Sequence, residues 1–120
     1  MQCSVLVIDD DAAFRRLAAD LLRGLGLGVT GEAGTFADGE AAAVELRPDA
    51  ALVDVGLPDG DGLELARRIA ALPWSPRVLI TSSDGDASSG ARARDLGAIG
   101  FVPKTELATA PLYELLAGVT

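Results

Sequence analysis

Positive charge is scarce in this sequence and nowhere clustered: ten Lys and Arg are scattered among 18 Asp and Glu over 120 residues, a formal charge of -8. A surface that grips phosphate backbones needs grouped Lys and Arg, so nucleic-acid binding is not expected. Cysteine is limited to Cys3, which excludes a disulfide within the chain. No apolar run approaches the roughly 20 residues that span a bilayer. The first residues also lack the basic, apolar and small-residue succession of a signal peptide. These absences predict a soluble, cytoplasmic protein without a membrane partner. Aromatics make up only 4% of a chain that is nearly half apolar, so the core must be built from Ala, Val, Leu and Ile. Neither a linker nor a repeat interrupts residues 1–120, a length that suits one domain and is too short for two.

What is present alternates. Ser4-Val5-Leu6-Val7-Ile8 reads as a buried strand that runs into Asp9-Asp10-Asp11. A helix is predicted from about Ala12, with Phe14, Leu17, Ala18, Leu21 and Leu25 on the packed face and Arg15, Arg16, Asp20 and Arg23 in solvent. Gly24, Gly26 and Gly28 end it; their spacing suggests a phosphate loop, but they follow a helix and precede a strand, the wrong order for one. Val29–Ala33 reads as a weak edge strand. Thr35 and Asp38 resemble a capping box for a short Ala-rich helix ending near Leu46, with Gly39 inside it. Ala51-Leu52-Val53-Asp54 is the next buried strand, stopped by Gly56 and Pro58. A helix over Leu63–Leu72 places Leu65, Ile69 and Leu72 on one face. Arg77–Thr81 is a fourth strand, and Ser82–Asp86 a loop. The helix expected over Ala87–Leu96 contains Ser88, Ser89 and Gly90 and has poor intrinsic propensity. Ile99–Val102 is a fifth short strand, and Pro111 opens a last helix carrying Leu112, Leu115 and Leu116.

This succession predicts a flavodoxin-like (βα)5 three-layer α/β domain with a parallel sheet and right-handed crossovers. Ligands bind such sheets at the carboxyl ends of the strands, where strand order reverses. Asp9 and Asp10 end the first strand, Asp54 the third and Thr81 the fourth, and Lys104 follows the fifth. Three carboxylates gathered there repel one another, and a single Lys104 does not balance them. A hard divalent cation does, and carboxylate oxygens with a backbone carbonyl, that of Gly56, suit Mg²⁺. A free oxygen of Asp54 could then attack phosphorus to give an acyl phosphate, with Thr81 and Lys104 stabilising the transferring group.

The segments Val-Ile-Asp9-Asp10-Asp11, Val-Asp54-Val-Gly-Leu-Pro58-Asp-Gly-Asp-Gly62, Ile-Thr81-Ser82 and Gly100-Phe101-Val-Pro-Lys104 resemble the response-regulator receiver domain of two-component signalling, from Val5 to about Leu116. The resemblance implies a sheet of order 2-1-3-4-5, phosphorylation of Asp54, and Mg²⁺ held by Asp9, Asp10, Asp54 and the Gly56 carbonyl. It further implies phosphate contacts from Thr81, Ser82 and Lys104, and a rotating aromatic at Phe101. The implied partners are a sensor histidine kinase or phosphotransfer protein, and an effector or second copy on the face of helix four, strand five and helix five. The domain would assist its own phosphorylation without independent turnover. The pattern departs at Lys104, which is followed by Thr105 where the family often has proline, and at Gly56, where a larger residue is common.

Taken singly, these residues have plainer readings. Asp11 is an N-cap, Asp59 and Asp61 serve the turn before the third helix, and Phe101 is core. Two other functions use similar parts. A haloacid-dehalogenase phosphatase needs a second Asp two residues after its nucleophile, where this chain has Gly56. A phosphorylation-independent receiver-like interaction module would be expected to lack acidic or lysine positions that are intact here.

Overall fold

A computed structural model describes residues 2–83 and 88–118. Five strands, β1 (Ser4–Ile8), β2 (Gly28–Ala33), β3 (Ala50–Asp54), β4 (Arg77–Ser82) and β5 (Gly100–Pro103), form one sheet in the order β2-β1-β3-β4-β5. Every pairing in it is parallel. The alternating helices are α1 (Ala12–Gly24), α2 (Phe36–Leu46), α3 (Gly62–Ala70), α4 (Ser88–Asp95) and α5 (Leu112–Ala117). The flavodoxin-like order 2-1-3-4-5 is the one expected.

Side-chain alternation along the strands divides the core in two. Leu6, Ile8, Val53 and Ile80 point toward Ala43 of α2, Leu65 and Ile69 of α3, and Ala93 of α4. Val5, Val7, Leu52 and Leu79 meet Ala18 and Leu22 of α1 and Leu112 and Leu116 of α5. All five residues of β3 are buried, as a central parallel strand covered on both faces must be. Gly39 is placed for packing: a Cβ there would press on Ile8 and Leu65 at about 3.0–3.1 Å, so α2 lies close on the sheet because this residue has no side chain.

Helix α1 differs from its predicted face. Its buried residues are Ala18, Ala19 and Leu22, with Phe14 and Leu21 partly covered, whereas Leu17 is 64% and Leu25 41% exposed. The true stripe is rotated toward the small alanines, which let the helix sit close to β1. Arg15, expected in solvent, is half-buried: its Nε pairs with Glu32 at 3.3 Å and its Nη1 donates to the Asp9 carbonyl. Helix α3 stops at Ala70, so Leu72 packs on the core from the following turn. The start of α4 expected at Ala87, and Asp84–Asp86 of the predicted loop, lie outside the described residues. Two short elements were not expected. Gly56–Leu57 and Gly60–Asp61 form an antiparallel ribbon after β3, and Lys104–Thr109 forms a 3-10 helix whose Leu107 is buried. No helix among the described residues is long and apolar enough to cross a membrane.

Candidate functional site

The acidic end of β1 is built by its own backbone. The Asp9 N–H donates to the Ala33 carbonyl at 2.9 Å, carrying the β1–β2 ladder one residue past the strand and fixing Asp9 in the interior at 1% exposure. Its Oδ1 accepts the Asp11 N–H at 2.9 Å. Asp11 in turn caps α1, accepting from the N–H groups of Ala13 and Phe14 at 3.0 and 3.3 Å, as expected. Asp10, between them, faces solvent.

Asp54 closes β3 opposite Thr81 of β4. A Cβ at Gly62 would collide with the Asp54 carbonyl, so glycine alone lets α3 start hard against the end of β3. The two remaining acids of this loop have separate duties. Asp61 caps α3 through the Leu63 N–H at 2.9 Å, as expected. Asp59 instead reaches across to α2, accepting from Phe36 and Ala37 N–H at 2.6 and 3.1 Å. The helix it serves is therefore the second, because the ribbon folds the loop back over the α2 N-terminus.

These elements bring Asp9, Asp10 and Asp54 together, with one carboxylate oxygen of each within 4.8 Å of the others. Lys104, leaving β5, inserts Nζ 2.6 Å from Asp9 Oδ2 and 3.6 Å from Asp54 Oδ2. Burial raises the Asp54 pKa, the negative charges of Asp9 and Asp10 add to the rise, and Lys104 and the Gly56 N–H oppose it. For Lys104 desolvation works downward, but the Asp9 hydrogen bond and the charges of Asp54, Asp9 and Asp10 outweigh it and hold the ammonium above its usual pKa. The site is thus short of positive charge. Asp54 resists ionisation, and the one inserted lysine is held firmly charged.

The other expected residues border the same cleft. Thr81 is 1% exposed, and its hydroxyl has no hydrogen-bond partner among the described residues. Ser82 and Ser83 line the opening with Gly56, whose missing side chain leaves space beside Asp54. Phe101 lies one residue out of line: it pairs with Ile80, half-buried against the α3–α4 side of the core, while Thr81 pairs with Val102. Every peptide bond among the described residues is trans, that of Lys104–Thr105 included. Sequence reasoning missed two neighbours. Arg15 lies against the Asp9 carbonyl, and the Phe14 ring lies under Lys104 Nζ at 4.3 Å. Helical periodicity reports the buried side of α1 but not which side chains turn back past its first turn to the strand ends.

Comparison with known proteins decides the family. The model of the response regulator receiver domain matches residues 5–116. The chain belongs to that family. The receiver is 35% identical over 85% of its length to a putative transcriptional regulator of Pseudomonas aeruginosa, covering 49% of that protein. It is 40% identical over 83% of its length to the DNA-binding transcriptional activator DevR/DosR of Mycobacterium tuberculosis, covering 46% of it. Its backbone is similar to the signal receiver domain of the putative response regulator NarL from M. tuberculosis, with a TM-score of 0.80 and 30% identity over 92% of this chain and 94% of that one. The receiver spans about a third to a half of the length of the first curated relatives it matches, which include a protein-glutamate methylesterase/protein-glutamine glutaminase of Myxococcus xanthus. Membership supports a phosphoacceptor role in two-component signalling.

Proposed function

We propose that Asp54 takes a phosphoryl group from a phosphohistidine of a sensor histidine kinase or phosphotransfer protein, in a Mg²⁺-dependent reaction. The observation that carries this reading is the position of Asp54: buried at the end of the central strand, facing a cleft, beside two more carboxylates and an inserted ammonium. These 120 residues contain no histidine, so the phosphohistidine donor lies outside them.

The donor set fits Mg²⁺: three carboxylates share a space with too little positive charge, and oxygen ligands are what that ion takes. Asp9, Asp10, Asp54 and the Gly56 carbonyl are the groups that would hold it. Bound there, the ion would supply positive charge that offsets the repulsion among the carboxylates and screens the incoming phosphoryl oxygens. The remaining work belongs to side chains. A carboxylate oxygen of Asp54 attacks phosphorus, an O–P bond forms as the P–N bond to the donor imidazole breaks with its electron pair going to that nitrogen, and the proton carried on the donor's other ring nitrogen lets the ring leave as neutral imidazole. The Lys104 ammonium and the Thr81 and Ser82 hydroxyls face the equatorial oxygens, where charge is spread in such a transfer. The unpartnered, buried Thr81 hydroxyl supports this placement, because a polar group is costly inside the protein without an acceptor or donor to meet. The domain promotes its own modification and turns over no separate substrate.

Incubation with acetyl phosphate and Mg²⁺, followed by intact mass, should give one added phosphoryl group on the wild type and none on Asp54→Asn. Equal labelling of the variant would move the acceptor elsewhere. No adduct on the wild type would leave a phosphorylation-independent interaction module as the function.

A further inference from the structure

Lysine brings a compact charge on a flexible four-carbon stem, so its aim has to come from its surroundings. The backbone of Lys104 is fixed where β5 passes into the 3-10 helix anchored by buried Leu107, which leaves the side-chain torsions to be restrained. Two carboxylates hold Nζ from one side, Asp9 more closely than Asp54. From another side it meets the face of Phe14, at 4.3 Å from the ring centre and well within the roughly 6 Å reach of a cation–π contact. Phe14 is itself tied to the acidic loop, for its N–H is one of the two that Asp11 caps, and Asp11 donates to Asp9. Asp9, Asp11, Phe14 and Lys104 therefore form a closed circuit of contacts.

We propose that Phe14 is a positioning residue for Lys104, whose ring face holds the ammonium at the rim of the acidic cluster and aimed at the group on Asp54. The inference rests on the proposed phosphoacceptor function and names a residue of that same site. The ring does what a third carboxylate could not. It attracts the ammonium without adding negative charge to a cluster already rich in it, and it leaves the N–H donors free for phosphoryl oxygens. The ring is a partner for the ammonium independent of the carboxylates that would hold a cation. A leucine would fill much of the same space but has no π face to offer.

The test compares wild type, Phe14→Leu and Phe14→Tyr by the rate of phosphorylation with acetyl phosphate and Mg²⁺, and by the proton chemical shift of the Lys104 ε-methylene. Loss of a cation–π contact of ordinary strength should slow Phe14→Leu by roughly three- to thirtyfold and abolish the ring-current shift. Phe14→Tyr should restore both. Thermal unfolding of each variant checks the fold, and Phe14→Met replaces Phe14→Leu if the latter does not fold. A ringless variant that is folded and phosphorylated at the wild-type rate overturns the inference and leaves Asp54 as acceptor. So does a Phe14→Tyr variant that keeps the ring-current shift yet is as slow as Phe14→Leu, since that result assigns the effect to packing. A wild type that accepts no phosphoryl group removes the proposed function and this inference together.

Discussion

At the scale of single residues, two glycines divide the work around Asp54. Gly62 allows the start of α3 to touch the end of β3, which fixes the Asp54 backbone. Gly56 does the reverse and leaves the cleft open: a Cβ there would lie 4.0 Å from Asp54 Oδ2, with nothing nearer. An aspartyl phosphate is lost by in-line attack of water, and a side chain at this border with an amide or carboxylate can hold that water in place. Neither Gly56 nor Ser83 supplies such a group, so the phosphorylated domain is expected to be long-lived for a receiver. Gly56→Asn should accelerate loss of the phosphoryl group by about tenfold or more, the scale on which positioning of a reactant acts. The check is the decay of the phosphorylated mass after removal of acetyl phosphate, and an unchanged half-life would defeat this account of water placement. The gathering of Asp54, Lys104 and Thr81 at one edge of the sheet was legible in the sequence because each stands at or just past the end of an apolar run, where a polar side chain is conspicuous. Phe14 and Arg15 were not, because each also satisfies an ordinary reading of helix periodicity, one as core and the other as solvent face.

At the scale of elements, the strands were legible almost to the residue, since short apolar runs bounded by Gly, Pro and Asp leave little freedom of register. The ribbon at Gly56–Asp61 and the 3-10 helix at Lys104–Thr109 were not, because elements so short have no periodicity to read. Helix α4 was expected to be weak from its Ser and Gly content, and its packing gives a second reason. Among its described side chains only Ala93 is fully buried, a small anchor compared with Leu65 and Ile69 of α3 or Leu112 and Leu116 of α5. A helix held so lightly opens at little cost. A phosphoryl group on Asp54 would add roughly -1.5 to -2 charges and three acceptor oxygens within reach of the partnerless Thr81 hydroxyl. Drawing Thr81 inward would loosen the end of β4 beside Phe101, which packs on the α3–α4 side of the sheet. The α4, β5 and α5 surface is then the one that changes, offered to an effector or a second copy of the chain. Hydrogen exchange with beryllofluoride and Mg²⁺ should change most in α4 and β5, and less in Thr81→Ala. Changes confined to the loop after Asp54 would leave the phosphorylation chemistry standing and remove this route from site to surface.

At the scale of the whole molecule, the acidic cluster should couple folding to metal and to pH. Asp54 has a raised pKa in the fold, so the native state holds that proton more tightly than the unfolded chain does. Its contribution to stability is therefore full below the ordinary carboxylate pKa of 3.8 and is lost as pH rises through the higher native value. Near neutrality the ionised Asp54 therefore opposes folding, and a cation that binds only the folded chain would offset that opposition. Free Mg²⁺ at ten times its dissociation constant should add about 1.4 kcal/mol, or about 4–7 °C in Tm for a domain of this size. The ligands must be deprotonated to bind, so the gain should fade as pH is lowered and the carboxylates take up protons. Removing an acidic ligand acts in two opposed ways. Asp10→Ala relieves repulsion and should leave the metal-free protein as stable as the wild type or more so, while most of the Mg²⁺-dependent rise in Tm disappears and phosphorylation with it. Thermal melts of both proteins across a Mg²⁺ titration, at neutral and acidic pH, separate these effects. An undiminished rise in Asp10→Ala would place the ion away from the ends of β1 and β3, and a rise in wild type that persists unchanged in acid would mean that carboxylates are not what bind it.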